Sequence, residues 1–405
     1  MKNRLARKIS LGLLAASPLV IQAEINIEGT TGEDGDLNPA ANVTVDLAAA
    51  LPAAWTNAPA EPGFGVYDSN KWAVVFKYGS VTIDENTEVR FKNNATRAPV
   101  VWLVSSNVTI NGVLNLNGQN AGTRTYSEPG PGGFRGGKGD HPPFEASAGF
   151  GPGGGHSGDR QNGASHASTY GQATIWQLIG GSGGGGLIST GNDVESNSGG
   201  GGGGAILIAA KGKIIINGRI MANGGNGLSS GSGSGGAIRL IAEEIGGNGR
   251  IEALGGTDPR VVGNRGDFGF IRLEALSVSL DNDPLPPTQV AVLSDPVRLW
   301  PSDGSPSVDI IAISGNPVRT DPKAALAPQI PDVNVPAPGV ALVEIETKNL
   351  PTNSIVMVFV TPMHGKRSQH IAEHVLGDEA LSKWRAQLDA KAGYCALQVR
   401  AAVAP

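Results

Sequence analysis

Between residues 81 and 281, outside a long glycine-rich stretch, apolar positions alternate with polar ones in short runs separated by glycine. Ile206 and Ile208, Ile214 and Ile216, and Ile220 and Ala222 fall on one side of a period-two pattern, while Lys213, Arg219 and Met221 fall on the other. Such runs are too short for helices and predict strands. They also recur. Ile214–Gly225 lies over Ile245–Gly256 at an offset of 31, Ala205–Ala210 over Ala237–Ala242 at 32, and Ile238–Leu240 over Ile271–Leu273 at 33. Val108–Gly118, preceded by Val101–Val104, is an earlier copy. Val81–Ile83 followed by Val89–Phe91 is a degenerate one, with a spacing of 27 from Ile83 to Ile110.

Three strand-sized pieces per repeat, joined by corners such as Asn111-Gly112, Asn217-Gly218 and Asn248-Gly249, predict parallel rungs stacked on one another. Propeller blades share the repeat length, but they need four hairpin-linked antiparallel strands. The expected fold is therefore all-β: a right-handed parallel β-helix over 71–283, with Ile216 and Ile220 inward and Arg219 outward. Residues 70 to 281 resemble the Gly-rich, pectate-lyase-like and adhesin-like β-helix proteins secreted by bacteria. That resemblance implies a fold and an extracellular setting. It brings no catalytic residue, because the shared pattern consists of inward aliphatics and corner glycines.

Composition alters this picture between about 119 and 204. Glycine fills 60 of 405 positions, about twice the usual share, and much of it sits in runs such as Gly130–Gly133, Gly151–Gly155, Gly183–Gly186 and Gly199–Gly204. Glycine offers no side chain to bury and loses the most backbone entropy on ordering, so this insert is expected to form no core of its own. Two readings stay open. It either leaves one rung corner and lies over a lateral face, pinned by Trp176, Leu178 and Ile179, or forms a solvated low-complexity loop.

Residues 24–70, with Leu47–Leu51 and Trp55, are expected to cap the open end of the stack, where an uncovered rung would expose apolar side chains and unpaired edges. At the other end Asp283-Pro-Leu-Pro-Pro287 should stop the pairing, since proline cannot donate to a ladder. From 288 to 405 the alternating runs Val308–Ile313, Val340–Thr347, Ile355–Val360, Ser382–Leu388 and Cys395–Val403 predict an antiparallel β-sandwich similar to Ig or fibronectin-type modules. In the last run Cys395, Leu397, Val399, Ala401 and Val403 share the apolar face, and Gln398 and Arg400 the other. Cys395 then reads as a buried structural thiol.

Thirty-one Lys and Arg stand against 36 Asp and Glu, a net charge of −5 that offers no basic footprint for nucleic acid. Lys2, Arg4, Arg7 and Lys8 precede the apolar stretch Ile9–Ile21, which ends near Ala23. This predicts a secretory signal over 1–23, export, and a mature chain with 27 cations against 36 acids. The stretch is too short to span a bilayer, and nothing later approaches a transmembrane length. A lone cysteine excludes a disulfide scaffold and any cysteine-based zinc framework.

Candidate chemistry is sparse. Asp140, His141, Glu145, His156, Asp159, Arg160 and His166 crowd into the insert, but their spacing fits no metal motif and glycine flanks would not fix ligands. Of these, Asp140, His141, His156, Asp159 and His166 stand as weak metal candidates, against a reading as polar loop residues. On the outward face Arg239 and Arg272 occupy equivalent positions on successive rungs, roughly 4.8 Å apart in a regular stack, with Glu243, Glu252 and Glu274 near in sequence. Arg219 over Arg250 is a second like-charge stack. Arg239, Arg272, Glu243 and Glu274 are the ligand-binding candidates, for an anionic ligand, against a reading as a solvated charge ladder. His370 and His374 are spaced i, i+4, but they and His364 fall in strand and turn and read as surface residues. Elbow, P-loop, zincin and calcium-nonapeptide motifs are absent.

Two function classes follow. The first is a secreted or cell-surface structural, adhesin-like binding protein without catalysis or cofactor, whose partner is a polysaccharide or a cell-surface or matrix component. The second is a carbohydrate-active lyase or hydrolase acting on acidic polysaccharide, the one case in which calcium would enter.

Overall fold

The computed structural model describes residues 25–140, 146–159, 163–188, 197–258, 265–294, 296–302, 304–318, 331–336, 338–362, 367–390 and 395–403. The expected signal over 1–23, with Ala23, lies outside them, as does most of the Pro317–Pro338 span. Among the described residues the chain is all-β, with a single 3-10 turn at Leu47–Ala49 as its only helical element. No helix there is long and apolar enough to cross a membrane.

Three parallel ladders run through the first three hundred residues. One joins Ala73–Tyr78, Val100–Val104, Ala205–Ala210 and the first halves of the long strands Ala237–Gly247 and Phe270–Leu280. A second joins Val81–Ile83, Val108–Ile110, Lys213–Ile216 and the second halves of those long strands. The third joins Val43–Asp46, Glu88–Lys92, Val113–Asn115, Arg219–Met221 and Arg250–Glu252. The residues that the sequence offsets place over one another are register partners, including Ala205 with Ala237, Ile214 with Ile245 and Ile238 with Ile271.

Alternation then decides the interior. Phe76, Trp102, Ile208, Leu240 and Leu273 form one fully buried column, and Val89, Leu114, Ile220 and Ile251 another; both belong to a single apolar cluster that runs from Leu47 to Ala275. The column starts aromatic, with Tyr78 edge-on to Trp102 at 5.8 Å, and ends aliphatic. At the corners asparagine side chains bridge successive layers. Asn117 Oδ1 accepts from the Asn223 N–H at 2.7 Å, and Asn223 Oδ1 accepts from the Leu254 N–H at 2.7 Å.

The pairing passes the proline run at 283–287. Leu285, the non-proline residue between Pro284 and Pro286, donates to Ile251 O at 2.9 Å and accepts from the Ala253 N–H at 2.8 Å, and Gln289–Val292 then adds in parallel to the Phe270–Leu280 strand. Leu293, Val297, Leu299 and Trp300 continue along the outside of the first ladder, in a second cluster with Ile25, Ile27 and Trp55. Trp55 therefore packs laterally against Trp300, with ring centroids 5.8 Å apart, while Leu47 and Ala50 join the inner core and Leu51 is exposed.

In the insert the expectation of no core is corrected. Successive N–H groups of Gly199–Gly204 donate to three neighbours in turn: Gly137 O at 2.8 Å, Gly231 O at 2.8 Å and Gln119 O at 2.9 Å, then Phe134 O at 2.9 Å, Ser234 O at 3.0 Å and Leu116 O at 2.7 Å. Gly181, Gly184 and Leu187 likewise all address one neighbour, through the carbonyls of Gly203, Gly200 and Asn197. A flat strand has two hydrogen-bonding edges. A direction that repeats every third residue is that of the extended threefold helix, which has no internal hydrogen bonds and frees every N–H for a neighbour. The result is a buried bundle of glycine chains whose core is backbone. Phe134, Phe150 and Ile179 tie it to the inner apolar cluster, and Leu178 to the flanking ones.

After residue 306 the strands are antiparallel. Asn316–Pro317, Ser307–Ile313, Gly339–Lys348, Leu381–Ala390 and Glu373–Gly377 make a five-stranded sheet, and Ser368–Ile371, Ile355–Pro362 and Cys395–Ala402 a three-stranded one. Both contribute to one separate apolar cluster, which includes Val343, Ile345, Val356, Val358 and Trp384 and has the half-buried Cys395 at its margin. His370 lies on the short strand before Ala372. His374 lies on the one after it and stands edge-on to Trp384 at 4.9 Å. His364 lies outside the described residues.

Candidate functional site

Arg239 and Arg272 are register partners in the first ladder, as their spacing predicts. Their surroundings differ from the expected open face. Arg239 is 1% exposed and Glu274 2%. Arg239 Nε donates to Glu274 Oε1 at 2.7 Å, and Arg272 Nε donates to the same oxygen at 2.8 Å. The remaining Arg239 nitrogens donate to Leu299 O at 2.9 Å and Arg298 O at 2.7 Å. Trp176, from the insert, lies over both guanidinium groups, 4.8 Å from Arg239 and 6.0 Å from Arg272. Burial lowers the proton affinity of Arg239, against the pull of Glu274. The column is thus an enclosed charge cluster, closed by two segments that the repeat pattern could not place. Glu243 lies apart from it, and its Oε1 is enclosed without a hydrogen-bond partner.

The second arginine stack resolves in a related way. Arg219 and Arg250 pair in register, yet Arg219 reaches the buried Glu252, with Nη2 2.9 Å from each carboxylate oxygen, and Asn223 Nδ2 donates to the same group at 3.1 Å.

Of the insert candidates, His141, Glu145 and Arg160 lie outside the described residues. Asp140 pairs with Lys138 at 2.8 Å. His156 Nδ1 sits 3.0 Å from Ser157 O, and Asp159 follows on the same segment. His166 Nδ1 accepts from the Ser232 N–H at 3.0 Å, so its neutral form is the one built into the bundle, and burial pushes its pKa down. Among the described residues no three His, Cys, Asp or Glu side chains converge as a metal site.

Sequence reasoning passed over two other polar arrangements. Near the first turn of the stack, Lys77 is 1% exposed, and its Nζ donates to Glu33 Oε2 at 3.1 Å, Thr56 O at 3.0 Å and Asn57 O at 2.8 Å. Beside it buried Asp34 accepts from the backbone N–H groups of Gly63, Gly65 and Lys77. The Lys77 ammonium and the Asp34 carboxylate are both engaged within the chain, so the arrangement fastens the N-terminal segment to the stack. The second lies on the outward face of the three-stranded sheet. Val356, Val358 and Val360 point into the core, which leaves Phe359 outward with its register partner Gln398 and, two residues on, Arg400. Arg367 joins them: its Cζ is 4.6 Å from the Phe359 ring, and its Nη2 donates to Gln398 Oε1 at 3.4 Å. Arg400 lies 5.7 Å from Phe359 and 5.4 Å from Tyr170 of the insert. Period-two alternation in the last strand had placed Gln398 and Arg400 on this face; the positions of Arg367 and Tyr170 depend on chain connections that no local pattern reveals.

A scan against protein-family models, a search of curated proteins and a search of solved structures find no match to this chain.

Proposed function

We propose that this chain is an exported, non-catalytic binding scaffold, in which a right-handed parallel β-helix carries the glycine bundle on one flank and is followed by a β-sandwich. The observation that carries the reading is the unbroken parallel register from Val74 through Val100, Ile206 and Ile238 to Ile271. Stacked layers of this kind make a stiff, elongated support whose outer faces and appended segments are free to vary. The leader-like first 23 residues favour export.

A carbohydrate-active enzyme would need an unengaged carboxylate beside a base on the outward columns. The acids best placed for that work are already held: Glu252 by Arg219 and Asn223, and Glu274 by Arg239 and Arg272. The test is an assay for new reducing or unsaturated ends on polygalacturonate, alginate and host-surface glycans, with and without calcium, alongside a pull-down on the same polymers. Retention on at least one polymer without turnover is the expected outcome. Turnover would replace the scaffold reading with the lyase or hydrolase one.

A further inference from the structure

The outward face of the three-stranded sheet holds two guanidinium groups with no anion. Among the described residues neither Arg367 nor Arg400 has a carboxylate partner. Arg367 Nε and Gln398 Nε2 are both enclosed without an acceptor. Burial and the nearby Arg400 charge weaken the hold of Arg367 on its proton. Elsewhere this chain gives its enclosed cations acceptors, as Lys77 and Arg239 show. A buried donor without an acceptor is costly, and two like charges around one ring add to that cost.

From this contrast we infer that Arg367, Gln398 and Arg400 form a binding site for the carboxylate of an acidic saccharide, with Phe359 and Tyr170 flanking it. The inference rests on the scaffold reading and gives it a ligand class. Guanidinium edges match a planar carboxylate in bidentate fashion. The aromatic rings on either side of Arg400 offer flat apolar surface to the ring that carries the carboxylate. A sulfate ester would present similar oxygens from another source, and an acidic peptide would present carboxylates without a ring.

The probe is trigalacturonate, titrated into the full chain by calorimetry, with its fully methyl-esterified form, a sulfated neutral trisaccharide and tri-glutamate as comparison ligands. Trigalacturonate should bind in a salt-sensitive manner and more tightly than the other three. R367Q and R400Q should each weaken it about tenfold or more, as expected for loss of a charged hydrogen bond. Since either variant could disturb the sheet, Gln398→Glu provides an independent reading: it supplies an internal carboxylate, so it should raise the melting temperature and abolish saccharide binding. A Gln398→Glu protein that melts lower, or binds unchanged, would overturn the site. So would unaltered affinity in both arginine variants, which would leave the scaffold reading intact with its ligand elsewhere, and so would tighter binding of the sulfated sugar or of tri-glutamate. Turnover of trigalacturonate, with binding still lost in R400Q, would overturn the scaffold reading and keep the site.

Discussion

Arg239 keeps a full charge where almost no solvent reaches it, and Glu274 is the reason it can. Replacing Glu274 by Gln preserves shape and removes the countercharge shared by Arg239 and Arg272. Breaking a buried pair by losing one partner costs about 3–5 kcal/mol. The lower end applies here, because the Leu299 and Arg298 carbonyls still accept from Arg239. Urea unfolding should show this as a lower midpoint with an unchanged slope, and a loss below about 1 kcal/mol would mean that the carbonyls and Trp176 suffice. Lys92→Ala, which removes an ion pair to Asp46 exposed on both sides, should shift stability by less than about 0.5 kcal/mol. The same contrast marks what could be read at this scale. Alternation correctly sets Arg239 and Arg219 off the inner face. It says nothing of what covers that outer position, because Trp176 and Leu299 arrive from segments 63 and 60 residues away, and Glu252 is buried behind Arg219 by a turn of the chain.

Glycine chains in the insert show a limit of side-chain patterns at the level of elements. Period-two and period-3.6 arguments count what a residue can bury. Here each residue buries its own peptide group, and the side chain matters by being absent. A methyl group added at Gly202 would fall on the Gly181 carbonyl, and one at Gly136 on the Gly199 carbonyl; both neighbours are backbone and cannot turn aside. Gly202→Ala should therefore destabilise the chain by about 2 kcal/mol or more, as overpacking of a rigid interior does. Gly163→Ala, at an exposed position with open space around it, should be neutral or gain up to about 1 kcal/mol from a less mobile unfolded chain. Thermal melts of the two variants decide the matter, and equal behaviour would mean that the bundle is not packed as described. The strands of the stack were legible because their offsets of 31 to 33 repeat. The bundle has no repeated side-chain signal, and its three-residue rhythm belongs to the hydrogen bonds.

Across the whole molecule the apolar clusters divide the chain at a place the prolines did not mark. The inner core, the lateral cluster and the small satellite under Ile175 all draw on residues between 25 and 300, and the last cluster draws only on residues between 308 and 401. The break thus falls in the exposed stretch around Pro301, Ser302 and Gly304, beyond Asp283, because Leu285 and Gln289–Val292 still pair with the stack and Trp300 still packs on Trp55. Units with separate cores melt separately unless their interface is large and apolar. Arg400 over the Tyr170 ring, at 5.4 Å, is one contact between them. Calorimetry should therefore show two transitions. Ile208→Ala, which opens a cavity in the inner core, should lower one of them, and Ile345→Ala the other, each by the equivalent of about 2–5 kcal/mol. Limited proteolysis should cut first near Ser302 and release two fragments that keep their individual transitions. A single transition that both substitutions shift would show that the two cores fold as one, and would make the arginine site beside Tyr170 part of a continuous interface.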